Sequence, residues 1–180
     1  MYQQVGHEDS ITGIQSFSEN LFSRKKLLRE IQDYFLQDAN NSSLVLYGMS
    51  GVGKTHIARK FCEQSNNFYK NIVWIDAAFG MLQTSMRNQC QILGLEVHDL
   101  KGDYLNIKVI VEKVHNYYKN EKTLFIFDNV DDESVKNFSI YISRKTNSFT
   151  LITSQWKTWS NNVNKMLVDV FSSKETYLLM

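Results

Sequence analysis

The chain has 180 residues, 43% apolar and 22% charged, enough to close a single globular core and too apolar for a disordered chain. A net charge of +1 gives no broad basic field for nucleic acid, and no apolar run reaches the about 18 residues of a membrane span, so neither is expected as a partner. Two cysteines, Cys62 and Cys90, and four histidines without ligand spacing argue against a disulfide framework and a metal cage.

Residues 1–20 carry neither the basic nor the apolar region of a signal peptide, so they are expected to form a poorly ordered N-terminal tail on a cytoplasmic protein. From Arg24 to Leu36, the residues Leu27, Leu28, Ile31, Tyr34 and Phe35 recur at helical spacing behind Ser23, which predicts an amphipathic helix with Ser23 as its N-cap. Its cluster "SRKKLLRE" reads as the solvated face of that helix. "LVLY", from Leu44 to Tyr47, reads as a short buried strand that runs through glycines into a further helix. A second strand, "NIVWID", ends near Asp76, and the periodicity predicts helices over Met81–Leu93 and Tyr104–Tyr118, separated by turns at Gly94 and Gly102. The third strand, "TLFIFD", ends at Asp128. A short helix is expected from Glu133 to Ser143, then strands at "FTLITS" and "MLVDV". In "SSKETYLLM", Ser172 and Glu175 have capping-box spacing, and the domain is expected to be cut short in the helix they open. Continuous apolar strands alternating with helices predict an α/β fold whose mainly parallel sheet is covered on both faces.

Chemistry concentrates in "GMSGVGKT", Gly48 to Thr55, which fits G-x-x-x-x-G-K-[ST] at every fixed position and lies between a strand and a helix. Glycines let a backbone curl around a phosphate without a Cβ in the way, and the helix N-terminus adds partial positive charge. The pattern makes Gly48, Met49, Ser50, Gly51, Val52, Gly53, Lys54, Thr55 and the adjoining His56 candidate nucleotide-binding residues. Lys54 would reach the β- and γ-phosphates and Thr55 would ligate Mg²⁺. Its bland alternative is a glycine-rich turn that serves packing alone. Asp128, delivered to the carboxyl edge of the sheet by its apolar strand, is the candidate second metal residue.

Residues Leu21 to Met180 resemble the nucleotide-binding half of NB-ARC domains, within the STAND class of P-loop NTPases. "ENLFSRKKLLREI" resembles the family's leading F-x-G-R-E-x-x-L segment, with Ser23 in place of the glycine and Arg24 matching the arginine. "LVLYGMSGVGKTHIARKF" resembles its phosphate loop, while "NIVWIDA", "TLFIFDNVDD" and "FTLITSQ" resemble its later strands. The resemblance implies a three-layer P-loop NTPase sandwich, a nucleotide-binding domain over 21–180, and a five-stranded sheet in the order 5-1-4-3-2. Bound ADP or ATP with Mg²⁺ is likewise implied, Arg24 contributing to the adenine pocket. The tip of the fourth strand would then face the γ-phosphate, and Gln155 stands there where many relatives carry an arginine. Asn129 stands where some carry a second aspartate. The family's G-x-P motif and winged-helix portion would follow Met180.

Three functions compete. One is a nucleotide-gated module of a signalling protein, at most a slow ATPase, coupled to other domains or to self-assembly, as in innate immunity or cell-death signalling. Another is a turnover ATPase or phosphotransferase, and the third is a fragment that no longer functions. The first is favoured, because phosphoryl transfer is catalysed by positioning and charge, and neither Asn129 nor Gln155 supplies a base or a cation. Asp131 and Asp132 are the candidate water-activating residues, with helix capping as their plainer role. Asp76 reads as a strand-end residue on the strand farthest from the loop. Trp74, Trp156 and Trp159 read as packing or partner surface.

Overall fold

Apolar runs bounded by polar turns become the strands of a single parallel sheet in the computed structural model, which describes residues 11–12, 25–37, 42–143, 145–159 and 163–169. In chain order the elements are β1 (Ile11–Thr12), α1 (Lys25–Gln37), β2 (Ser43–Tyr47), α2 (Lys54–Ser65), β3 (Asn71–Asp76), α3 (Met81–Ile92), α4 (Ile107–Tyr117), β4 (Thr123–Val130), α5 (Asp132–Lys136), a 3-10 turn (Phe138–Ile140), β5 (Ser148–Ser154) and β6 (Asn164–Leu167). The sheet order is β1-β3-β4-β5-β2-β6 and every pairing is parallel. The five expected strands therefore stand in the expected order, the fifth at Asn164–Leu167 and not over "MLVDV". Beyond them, β1 pairs with β3 at the edge, within the stretch expected to be a tail. Two residues are too few for any periodicity to announce a strand.

Side chains alternate across the sheet and build two cores. On β4, Leu124 and Ile126 face α1 and α2, where Leu28, Ile31, Phe35, Ile57, Ala58 and Phe61 are buried. Phe125 and Phe127 point the other way, onto Leu82, Met86, Ile110, Val111 and Val114 of α3 and α4. Both faces of the central strands are covered, which is why they carry apolar residues without alternation. The two cysteines are buried on α2 and α3, and burial pushes the Cys62 thiol up to about 12. His115 is also interior: its Nε2 lies 2.9 Å from the Tyr141 carbonyl, and burial lowers its pKa to about 4, so it packs as a neutral ring.

Two helices depart from the sequence reading. The one expected from Tyr104 starts at Ile107, because the Asn106 side chain accepts from the Lys108 N–H and so caps it there; Tyr104 instead bridges to His98. The one expected from Glu133 to Ser143 breaks after α5 and resumes as the 3-10 turn. The break lets Phe138 and Tyr141 both meet the ring of Phe127. Among the described residues no helix is long and apolar enough to cross a membrane.

Candidate functional site

β2 ends at Tyr47 and α2 begins at Lys54, so six residues must reverse the chain above the sheet. Gly51 and Gly53 do this in the left-handed region, at φ 77° and 91°, where a side chain is disfavoured. Gly53 occupies the N-cap of α2 and has no side chain to bond the first-turn amides, which remain directed at whatever lies above the loop. Val52 is buried beneath the loop and Met49 projects into solvent. Gly48 differs from the other two. A Cβ there would lie 2.3 Å from the carbonyl oxygen of Val168, just past β6, where the Val168 N–H donates to the Tyr47 carbonyl at 2.7 Å.

Lys54 folds back over its own loop, its Nζ donating to the carbonyls of Gly48 and Met49 at 2.9 and 2.7 Å. Burial lowers its pKa, and the Asp128 carboxylate acts against that shift. Beside it the Thr55 hydroxyl donates to Asp128 Oδ1 at 2.8 Å, joining the first turn of α2 to the tip of β4. The same Oδ1 accepts from the hydroxyl of Thr153 on β5. Thr153 in turn accepts from the Asn129 N–H at 2.8 Å. This last bond belongs to a register shift between β4 and β5, at which Asn129 takes a left-handed φ of 63°. Asp128 is thus held by two hydroxyls from two different elements. Thr153 is buried, and its bond to Asp128 has no signal in the sequence because it joins two strands 25 residues apart.

These groups line a cleft of about 770 Å³ along the carboxyl edge of the sheet. Its floor is made by Ser50, Gly51, Gly53, Lys54, Thr55 and His56, and its far wall by Asp128, Asn129, Thr153 and Gln155. Arg59, Trp74, Asp76 and Ala78 complete it, the Arg59 guanidinium lying 5.4 Å from the centre of the Trp74 ring. Burial lowers the His56 pKa, Glu63 opposing this shift while Lys60 and Arg59 add to it.

The candidates sort unevenly. Lys54, Thr55, His56, Asp128 and Gln155 come together around the cleft. Asp131 and Asp132 do not reach it. Asp131 caps α5, its two oxygens accepting from the N–H groups of Ser134 and Gly80, while Asp132 lies in the first turn of that helix. Burial would raise the Asp131 pKa, and those hydrogen bonds outweigh it and lower the pKa instead. Asp76 ends β3, of the five expected strands the one farthest from β2, as read from the sequence, and it also lies in register with Asp128 and lines the cleft. Trp74 joins it there, whereas Trp159 is buried on Phe138. Arg24, Ser23 and the Ser172–Glu175 capping box lie outside the described residues.

A family model described as "NB-ARC domain" matches residues 24–180. No curated protein matches the chain. Among solved structures, Cdc6p from Pyrobaculum aerophilum superposes with a TM-score of 0.60 at 13% identity, over 89% of this chain and 48% of that one. A chain of the Drosophila ORC bound to DNA gives 0.58 at 12% identity, over 92% of this chain and 48% of that one. A chain of the Drosophila ORC bound to GC-rich DNA and Cdc6 gives 0.56 at 16%, over 84% and 60% respectively. The chain thus spans about half of the length of these proteins, and at such identity the likeness is one of fold.

Proposed function

The chain belongs to the NB-ARC family, as a nucleotide-binding domain of a P-loop NTPase, and on that premise we propose that it is an adenine-nucleotide switch. It holds ADP or ATP with Mg²⁺, hydrolyses ATP slowly, and passes its occupancy to other protein domains or to further copies of itself in the cytoplasm. The observation that carries this reading is the Thr55–Asp128 hydrogen bond beside Lys54, which joins a hydroxyl and a carboxylate separated by 73 residues. Two hard oxygens so placed suit Mg²⁺, which takes few protein ligands and keeps several waters. Bound there, the ion would neutralise phosphate charge, and Thr55 and Asp128 would hold it. Lys54 would leave the loop carbonyls for the β- and γ-phosphates, with the loop amides serving the same oxygens. Adenine is proposed from the family membership.

Slow turnover is supported by what the cleft supplies opposite the loop. Gln155 and Asn129 are uncharged, and a glutamine cannot give the bidentate charged contact of a guanidinium. An arginine in such a place is worth about 10³ to 10⁵ in rate, so turnover at about 10⁻⁴ to 10⁻² per second is expected. Single-turnover measurement on the 180-residue chain checks this, and one per second or faster would replace the switch by a turnover enzyme.

Asp128→Asn tests the metal site. The variant should lose most of the Mg²⁺ dependence of ATP binding and keep metal-free ADP binding nearly intact, since removing the carboxylate also removes its repulsion of phosphate. Titration calorimetry with and without Mg²⁺ reads both. A collapse of metal-free ADP binding would assign Asp128 to the loop's architecture instead.

A further inference from the structure

Hydrolysis needs a group to take the proton of the attacking water, and neither residue that the sequence nominated reaches the cleft. Asp131 is committed to capping and Asp132 belongs to α5. Asn129 has no basic group to offer. Asp128 lines the cleft but is occupied by the hydroxyls of Thr55 and Thr153. Among the described residues one other carboxylate lines it: Asp76, at the end of β3, the Cα partner of Asp128 on the adjacent parallel strand. Its Oδ1 accepts from the Ala78 N–H at 3.0 Å, which fixes the group at the strand tip. Its Oδ2 takes no hydrogen bond from any described residue, and the side chain is open to water. His56 lines the cleft as well, from the first turn of α2, and is the rival that the test must separate from Asp76.

We propose that Asp76 is the catalytic base of the slow hydrolysis, a role that rests on the nucleotide reading above. The oxygen of a water between the tips of β3 and β4 forms a bond to the γ-phosphorus. The bond from that phosphorus to the β–γ bridging oxygen breaks, and its electron pair stays on the departing ADP. The water's proton passes to Asp76 Oδ2 and from this exposed position to solvent. ATP and water thus give ADP, inorganic phosphate and a proton. The neighbouring Asp128 stays with the metal, so adjacent strands divide the two tasks.

The test compares Asp76→Asn, Asp76→Glu and His56→Asn with the unmodified chain, measuring Mg·ATP affinity by calorimetry and single-turnover hydrolysis at saturation. Asparagine keeps an oxygen for the Ala78 N–H, so the fold and the affinity, within about twofold, should survive while the rate falls about a hundredfold, the lower range of what a positioned base contributes. Glutamate should restore part of the rate. An unchanged rate in Asp76→Asn overturns the assignment, as does a loss confined to His56→Asn. Weakened Mg·ATP affinity with the saturated rate intact also overturns it and makes Asp76 an ion ligand. Binding without any hydrolysis by the unmodified chain removes the base and leaves the switch, whereas absence of nucleotide binding removes both.

Discussion

Replacing Lys54 by alanine is expected to weaken Mg·ATP binding about ten- to a hundredfold, because a charged hydrogen bond to phosphate contributes about 1.5 to 3 kcal/mol. The loss has two sources in this chain. Lys54 is a buried residue whose ammonium lines the cleft and feels the Asp128 carboxylate, so it meets phosphate where water screens less than at an open surface. It also donates to the carbonyls of Gly48 and Met49, so its removal slackens the loop that presents the amides. ADP binding should weaken as well, and less than ATP, since the γ-phosphate has fewer other partners. Calorimetry on a variant with an unchanged melting temperature decides it; equal affinities would remove Lys54 from the site and undermine the nucleotide reading.

Phe127→Ala is expected to cost about 3 to 5 kcal/mol of stability, the range for deleting a buried aromatic ring from a core. For a chain of this size that lowers the melting temperature by roughly 6 to 20 °C. Phe127 is fully buried, with the rings of Phe138 and Tyr141 at 5.1 and 6.3 Å, and Phe138 lies in turn against Trp159. It is therefore the anchor of the segment after α5, one residue before Asp128. Phe127→Leu, which keeps most of the volume, should cost less than half as much. Denaturant unfolding measures both, and a cost below about 1 kcal/mol for alanine would mean that the segment collapses into the cavity without loss.

What could be read from the sequence was what is local. The phosphate loop was legible because its glycines, lysine and threonine are fixed by spacing along one turn. The cores were legible because Leu28, Ile31 and Phe35 repeat at helical period and the central strands β2, β3 and β4 carry continuous apolar runs. The strand order came with the family resemblance, and the sheet follows it. Lateral facts stayed hidden. That Asp76 shares a cleft with Asp128 depends on β3 lying beside β4, and no residue of "NIVWIDA" encodes its neighbour. Thr153 belongs to the strand tip that the resemblance sets opposite the γ-phosphate, but that its hydroxyl holds Asp128 depends on the register shift at Asn129 between β4 and β5. Asp131 and Asp132 were ambiguous since capping and catalysis ask for the same side chain; the short α5 decides for capping in Asp131.

The three glycines of the loop are not interchangeable as probes. Added methyl groups at Gly51 and Gly53 would meet open space, so those positions are restricted by backbone conformation alone. At Gly48 the obstacle is the Val168 carbonyl, part of the path by which the chain leaves β6. An alanine at 48 would wedge the edge strand away from Tyr47 before any ligand arrived, and a binding defect in that variant would measure damage to the sheet's border rather than a missing phosphate contact.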